Sequence, residues 1–144
     1  MKPLSFEDLK GKVCVITGGA GVLGTALVKA MASVGMKVAI ADIDKDTADR
    51  VAAEIAEESG AEVIGVAANV LDKDSLMQAK AEINRQFGEI DILINGAGGN
   101  SPQATTKVEQ IEEKDIENLA DTFYGLQVEG FDKVFALNFK GTVL

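Results

Sequence analysis

The chain has 144 residues, 47% of them hydrophobic, which is enough for one domain with a real core. Its net charge of −9 argues against a nucleic-acid surface or an anionic membrane as partner. With no histidine and one cysteine, Cys14, it has no His-based metal site, no Ser-His-Asp triad and no disulfide framework. A lone cysteine fits a reducing, cytoplasmic setting. Met1 to Leu9 lacks the apolar run of a signal peptide, and no apolar segment reaches the ~18 residues of a membrane span.

Residues 1–10 form a polar lead-in. Lys12 to Thr17 reads as a strand buried on both faces, because Val13-Cys14-Val15-Ile16 is continuously apolar. Glycines follow at Gly19, Gly21 and Gly24. Then Val22, Leu23, Ala26, Leu27, Ala30 and Met31 give the apolar period of a helix from Gly21 to about Ser33, ended by Gly35. Strand, glycine turn and helix make a pyrophosphate site: the turn is tight, no Cβ blocks the backbone, and the helix N-terminus offers unpaired N–H groups. The alternative is a glycine-rich turn that binds nothing.

Lys37 to Ala41 is a second buried strand, stopping at Asp42. Asp46 to Ser59 is an amphipathic helix closed by Gly60, and Ala61 to Ala67 a third strand. Asp72 to Phe87 is a third helix. Asp91 to Asn95 is a fourth strand, apolar on both faces as suits a central position, followed by Gly96-Ala97-Gly98-Gly99. Strands alternating with helices predict an α/β doubly wound parallel sheet, with right-handed crossovers and helices on both faces. Beyond Gly99, Asn100 to Thr106 reads as a polar loop and Val108 to Leu119 as an acidic helix. Asp121 to Glu129 is ambiguous, and Phe131 to Leu144 reads as a helix. The chain ends inside an apolar run at Val143-Leu144, which suggests part of a longer protein.

Asp42 lies eighteen residues after Gly24, where a carboxylate binds the hydroxyls of an adenosine ribose. It would select NAD and repel the 2′-phosphate of NADP. Asp42-Ile43-Asp44 is also good turn chemistry. Asn69-Val70 follows the third strand at the edge where ligands collect, so Asn69 is either an adenine partner or an ordinary turn residue. Asn95, Gly96, Ala97 and Gly98 either edge a cofactor cleft, with Asn95 pinning neighbouring strand ends, or form a flexible loop.

Together, TGGAGVLG (Thr17–Gly24), Asp42, Asn69-Val70, NGAG (Asn95–Gly98) and LNFKGT (Leu137–Thr142) resemble the short-chain dehydrogenase/reductase family over nearly the whole chain. The resemblance implies NAD(P)-dependent interconversion of an alcohol and a carbonyl on a small-molecule substrate. It implies a Rossmann sheet ordered 3-2-1-4 here, with further strands lying outside this chain, and a dimeric or tetrameric homo-oligomer. By the same resemblance Gly18, Gly21 and Gly24, with Gly19, Val22 and Leu23 in the same turn, line the pyrophosphate. Asp42 and Ile43 meet the adenosine ribose, and Asn69 and Val70 flank the adenine. Asn95, Gly96, Ala97 and Gly98 edge the cleft, and Asn138 organises a proton relay. On the residues alone, Asn138 reads as a helix-surface or helix-kink residue beside Gly141.

The sequence departs from the family pattern in several places. Val22 stands at the middle glycine of the usual T-G-x-x-x-G-x-G, with Gly21 one place earlier, a spacing that resembles the extended branch. Gly96 replaces the second Asn of the later motif, Asn69 replaces an Asp, and the stretch from Gly98 to Asn138 is longer by roughly one helix. These traits resemble the D-mannonate oxidoreductase (fructuronate reductase) branch. The family's proton donor, a Tyr-x-x-x-Lys pair with a preceding Ser, has no counterpart: the only tyrosine is Tyr124, and the residue four on is Val128. The chain is therefore expected to be the N-terminal portion of an NAD-dependent oxidoreductase, inactive by itself; the alternatives are a module that holds NAD without chemistry and an inert truncated product. An unpaired fourth strand would also favour self-association.

Overall fold

The computed structural model describes residues 5–144, so the first four residues of the lead-in lie outside the described residues. The chain divides into two compact units, Met1–Ala97 and Gly98–Leu144.

The first unit follows the alternation read from the sequence. Its elements are β1 (Val13–Thr17), α1 (Val22–Ser33), β2 (Lys37–Asp42), α2 (Lys45–Ser59), β3 (Val63–Ala67), α3 (Lys73–Phe87) and β4 (Ile92–Asn95). All strand pairs are parallel and the order is β3-β2-β1-β4, a Rossmann-like sheet. The predicted helix starts at Gly21 and Asp72 are N-caps rather than first-turn residues, and β3 begins at Val63 rather than Ala61.

The continuous apolar runs work because alternate residues serve two cores. Cys14, Ile16, Val38 and Ile40 pack with Val28, Ala32, Val51 and Ile55 of α1 and α2. Val13, Val15, Ala39 and Ala41 pack on the other face with Ala79 and Ile83 of α3. Each large side chain fully buried this way contributes about 1.5–3 kcal/mol. Burial also pushes the Cys14 thiol up to about 11. In β3, a Cβ on Gly65 would meet the Asp49 amide nitrogen at 2.5 Å and the Ala48 carbonyl carbon at 2.6 Å, so the glycine lets α2 lie flush on the strand.

Two expectations change. The buried stripe of α1 is Gly24, Val28 and Ala32, not the more conspicuous Val22, Leu23, Ala26 and Leu27, which are exposed or nearly so. Hydrophobicity at helical period placed the stripe on the wrong face because small residues, not large ones, allow α1 to approach the sheet. β4 was expected to be buried on both faces. Its residues alternate between half-buried and exposed, since β1 is its one strand partner among the described residues.

In the second unit, the helix expected over Val108 to Leu119 does not form. Short 3₁₀ turns occupy Glu113–Asp115, Leu119–Asp121 and Phe123–Gly125 instead. Glu109, Glu113 and Glu117 would stack like charges at i,i+4, which opposes a helix. Side chains also take the backbone donors locally: Glu112 N–H donates to Asp115 Oδ2 at 2.9 Å. The terminal helix begins earlier than read, as α4 (Val128–Phe135). It passes through a π-helical turn at Ala136–Lys140 and ends in a single turn, α5 (Gly141–Val143). Gly130 of α4 sits directly on Gln103 and Ala104.

Candidate functional site

The parallel sheet gathers the carboxyl ends of β1, β2 and β4 along one edge, and most of the residues singled out from sequence lie there. β1 ends at Thr17 and the chain turns through Gly18, which has φ of 65°. Its amide donates to Ala41 O at 2.8 Å, and the Gly21 amide donates to Gly18 O at 3.1 Å. A side chain at Gly18 would strike Ala97 Cα at 2.8 Å. At Gly19 it would strike Ile16 O at 2.8 Å, and at Gly24 it would strike the Gly18 carbonyl oxygen and Gly19 Cα. These three glycines are packing requirements of the turn. Gly21 differs: its backbone is extended, and a Cβ there would meet only Gly18 O, at 3.3 Å. The space that Gly21 leaves open faces outward.

The N-terminus of α1 is the feature that turns this geometry toward an anion. α2 and α3 are capped by Asp44, which accepts from Thr47 N–H, and Asp72, which accepts from Asp74 and Ser75 N–H. Hydrogen bonds from Thr47 hold the Asp44 carboxyl below its ordinary range. At α1 the N-cap is Gly21, with no side chain to accept anything. Val22 and Leu23 open the helix and are 92% and 81% exposed, so the first-turn donors and the positive end of the helix dipole face solvent. An uncapped helix start above a turn without a Cβ at Gly21 fits a pyrophosphate.

Asp42 closes β2 beside this turn. Its Oδ2 accepts from Ala20 N–H at 3.2 Å and its Oδ1 from Asp44 N–H at 3.3 Å, and the residue is half-buried. Ile43 projects into solvent. Asn69 is an Asx turn: its Oδ1 accepts from Leu71 N–H at 3.0 Å, while its own backbone N–H donates to Ser75 Oγ. Val70 is buried.

The loop after β4 is held by a residue to which the sequence reading gave no role. Thr17, 6% exposed, accepts from the backbone N–H of both Gly96 and Ala97 at 3.2 Å through its hydroxyl. Thr17, rather than the exposed Asn95, pins these strand ends. A Cβ at Gly96 would meet Thr17 O at 2.8 Å, so the two loops touch backbone to backbone. The signal in the sequence was a lone polar β-branched residue ending an apolar strand. Asp91 does the same at the opposite end. Its Oδ2 accepts from Val13 N–H at 2.9 Å and its Oδ1 pairs with Lys12 Nζ at 2.7 Å.

Gly98 and Asn138 belong to the second unit. There Asn138 lies within the π-helical turn. Its Oδ1 accepts from Gly99 N–H at 3.0 Å, and its Nδ2 donates to Gly99 O and Val134 O, both at 2.8 Å. No cluster of His, Cys, Asp or Glu suited to a metal occurs among the described residues, and no helix there is long and apolar enough to cross a membrane.

Residues 12–144 match the family model of the short chain dehydrogenases. The chain is 46% identical over its whole length to an uncharacterized oxidoreductase, UxuB, of Bacillus subtilis, covering 50% of that protein. It is 31% identical over 138 residues, 96% of the chain, to the 7alpha-hydroxysteroid dehydrogenase of Bacteroides fragilis, covering 47% of it. Among solved structures it is similar to an NAD-bound protein of Haemophilus influenza provisionally assigned as a D-mannonate oxidoreductase. The TM-score is 0.85 at 38% identity, covering 94% of this chain and 48% of that one. The chain thus spans about half the length of the curated relatives it matches.

Proposed function

The chain belongs to the short-chain dehydrogenase family, and from that premise we propose that it is the dinucleotide-binding part of an NAD-dependent oxidoreductase interconverting an alcohol and a carbonyl. One observation carries the reading: the uncapped start of α1 and the Asp42 carboxylate meet at the same glycine turn. NAD, when bound, supplies the hydride acceptor and NADH the donor. The chain's own residues bind and orient. N–H groups of the first turn of α1 take the pyrophosphate, and the missing Cβ at Gly21 gives it room. Asp42 accepts hydrogen bonds from the adenosine ribose and opposes the extra phosphate of NADP. Ile43 lies beside the ribose, and Asn69 and Val70 border the adenine. Asn95, Gly96 and Ala97 border the cofactor in the first unit; in the second, Gly98 does so too, and Asn138 helps organise the proton relay by holding Gly99.

We assign the substrate to the sugar acids or polyols. The relative provisionally assigned as a D-mannonate oxidoreductase supports this at 38% identity, against 31% for the steroid dehydrogenase. The general acid of the reaction is a group other than Tyr124, which sits exposed in a 3₁₀ turn of the second unit. The deciding experiment is a titration of the intact protein with NADH and NADPH, followed by fluorescence. NADH is expected to bind at least tenfold more tightly. An equal or inverted preference would remove the ribose role of Asp42, and failure of both to bind would remove the whole reading.

A further inference from the structure

We infer that Asp42 holds the glycine turn closed before any cofactor arrives, and so positions the pyrophosphate site as well as reading the ribose. The inference rests on the NAD-binding reading above and deepens it. The turn from Gly18 to Gly21 is fixed at both ends by backbone: Gly18 N–H on Ala41 O, and Gly21 N–H on Gly18 O. Its middle is fixed by one side chain among the described residues, the Asp42 carboxylate that accepts from Ala20 N–H at 3.2 Å. The other oxygen accepts from Asp44 N–H at 3.3 Å, which orients the carboxylate from the far side. A carboxylate has about four lone-pair sites, so these two backbone donors leave room for ribose hydroxyls. Clamping and ribose recognition are compatible in one side chain.

The double role changes what a substitution at this position does. If Asp42 served only to repel the 2′-phosphate, every neutral replacement would admit NADP equally. If it also clamps the turn, alanine removes the repulsion but releases the Ala20 amide and loosens the phosphate site. Asparagine removes the charge while keeping an oxygen for Ala20. The two variants therefore separate charge from clamp.

The test uses the intact protein as wild type, Asp42→Ala and Asp42→Asn, with two readouts. The first is hydrogen exchange at the Ala20 amide without cofactor. Protection is expected in wild type and Asp42→Asn, with exchange at least tenfold faster in Asp42→Ala. The second is NADPH affinity by calorimetry, expected at least threefold tighter for Asp42→Asn than for Asp42→Ala. Equal exchange in all three proteins, or equal NADPH affinity in the two variants, overturns the clamp. Failure of the cofactor reading looks different: wild type would then show no preference for NADH over NADPH, whatever the Ala20 amide does.

Discussion

The side chain of Asn138 holds both backbone polar groups of Gly99: Oδ1 accepts the glycine N–H at 3.0 Å and Nδ2 donates to its carbonyl at 2.8 Å. The second proton of Nδ2 goes to Val134 O, one turn back in α4. Both amide protons are committed to backbone carbonyls. The side chain therefore organises the segment after Gly98, and the π-helical turn that carries it is where a side chain has entered the helical ladder. Asn138→Asp would keep the acceptor for Gly99 N–H but set a carboxylate against two carbonyl oxygens. It should speed exchange of the Gly99 amide more than Asn138→Ala does, measured by hydrogen exchange. A Gly99 amide as protected in both variants as in wild type would mean that the pairing contributes nothing.

The glycines of the turn divide into structural and open positions. Gly21→Ala meets only Gly18 O at 3.3 Å, so it should fold with nearly unchanged melting temperature while NADH affinity falls several-fold. Gly19→Ala presses on Ile16 O at 2.8 Å and Ile40 Cγ2 at 3.1 Å, and should destabilise the protein by about 1–3 kcal/mol. Thermal melts and NADH titrations of the two variants decide this. A Gly21→Ala protein with undiminished affinity would show that the open side of the turn faces no ligand.

Thr17→Val preserves shape and burial but leaves the N–H groups of Gly96 and Ala97 without their acceptor. A loss of roughly 1–3 kcal/mol is expected in denaturant unfolding, largely restored in Thr17→Ser. If serine is no better than valine, packing of the methyl group rather than the hydroxyl holds the loop.

Lys12 and Asp91 give the fold a pH signature. Hydrogen bonds from Lys12 and from Val13 N–H lower the Asp91 carboxyl, and the same partner raises Lys12. A lowered carboxyl contributes stability above its unfolded value of about 3.9, lost as pH falls through the folded value. A raised lysine contributes below about 10.4, lost as pH rises through its folded value. Asp91→Asn should therefore be less stable than wild type at neutral pH, with the gap closing toward pH 2. Unfolding midpoints across pH measure it, and a gap that stays constant with pH would show that the charge is irrelevant.

The strands and the place of Asp42 were legible because two-faced burial forces continuous apolar runs, and β1 and β2 show them without interruption, whereas the strand order came from the family resemblance alone. The glycine motif was legible as a turn. Which glycine packs and which stays open was not, since that depends on Ile40 and Ala97, far away in sequence. The α1 stripe was misread because Gly24 and Ala32 carry little hydrophobic weight and Val28 is the one large apolar residue in it. The acidic segment from Val108 to Leu119 was misread because its scattered apolar residues were given more weight than charge repulsion and local hydrogen bonding. Thr17 and Asp91 escaped notice because each acts across nearly eighty residues of chain.

That span has a kinetic consequence. β1 meets β2 after one short helix, with Val13 opposite Lys37, whereas the bond from Val13 N–H to Asp91 joins residues 78 apart. Closing the longer loop costs about 1 kcal/mol more in chain entropy, so β1, β2 and β3 can assemble before β4 arrives. The contacts of Thr17 and Asp91 with β4 and its loop are therefore expected to form late: Thr17→Val should leave the folding rate nearly unchanged and speed unfolding, as read from the two arms of a denaturant chevron.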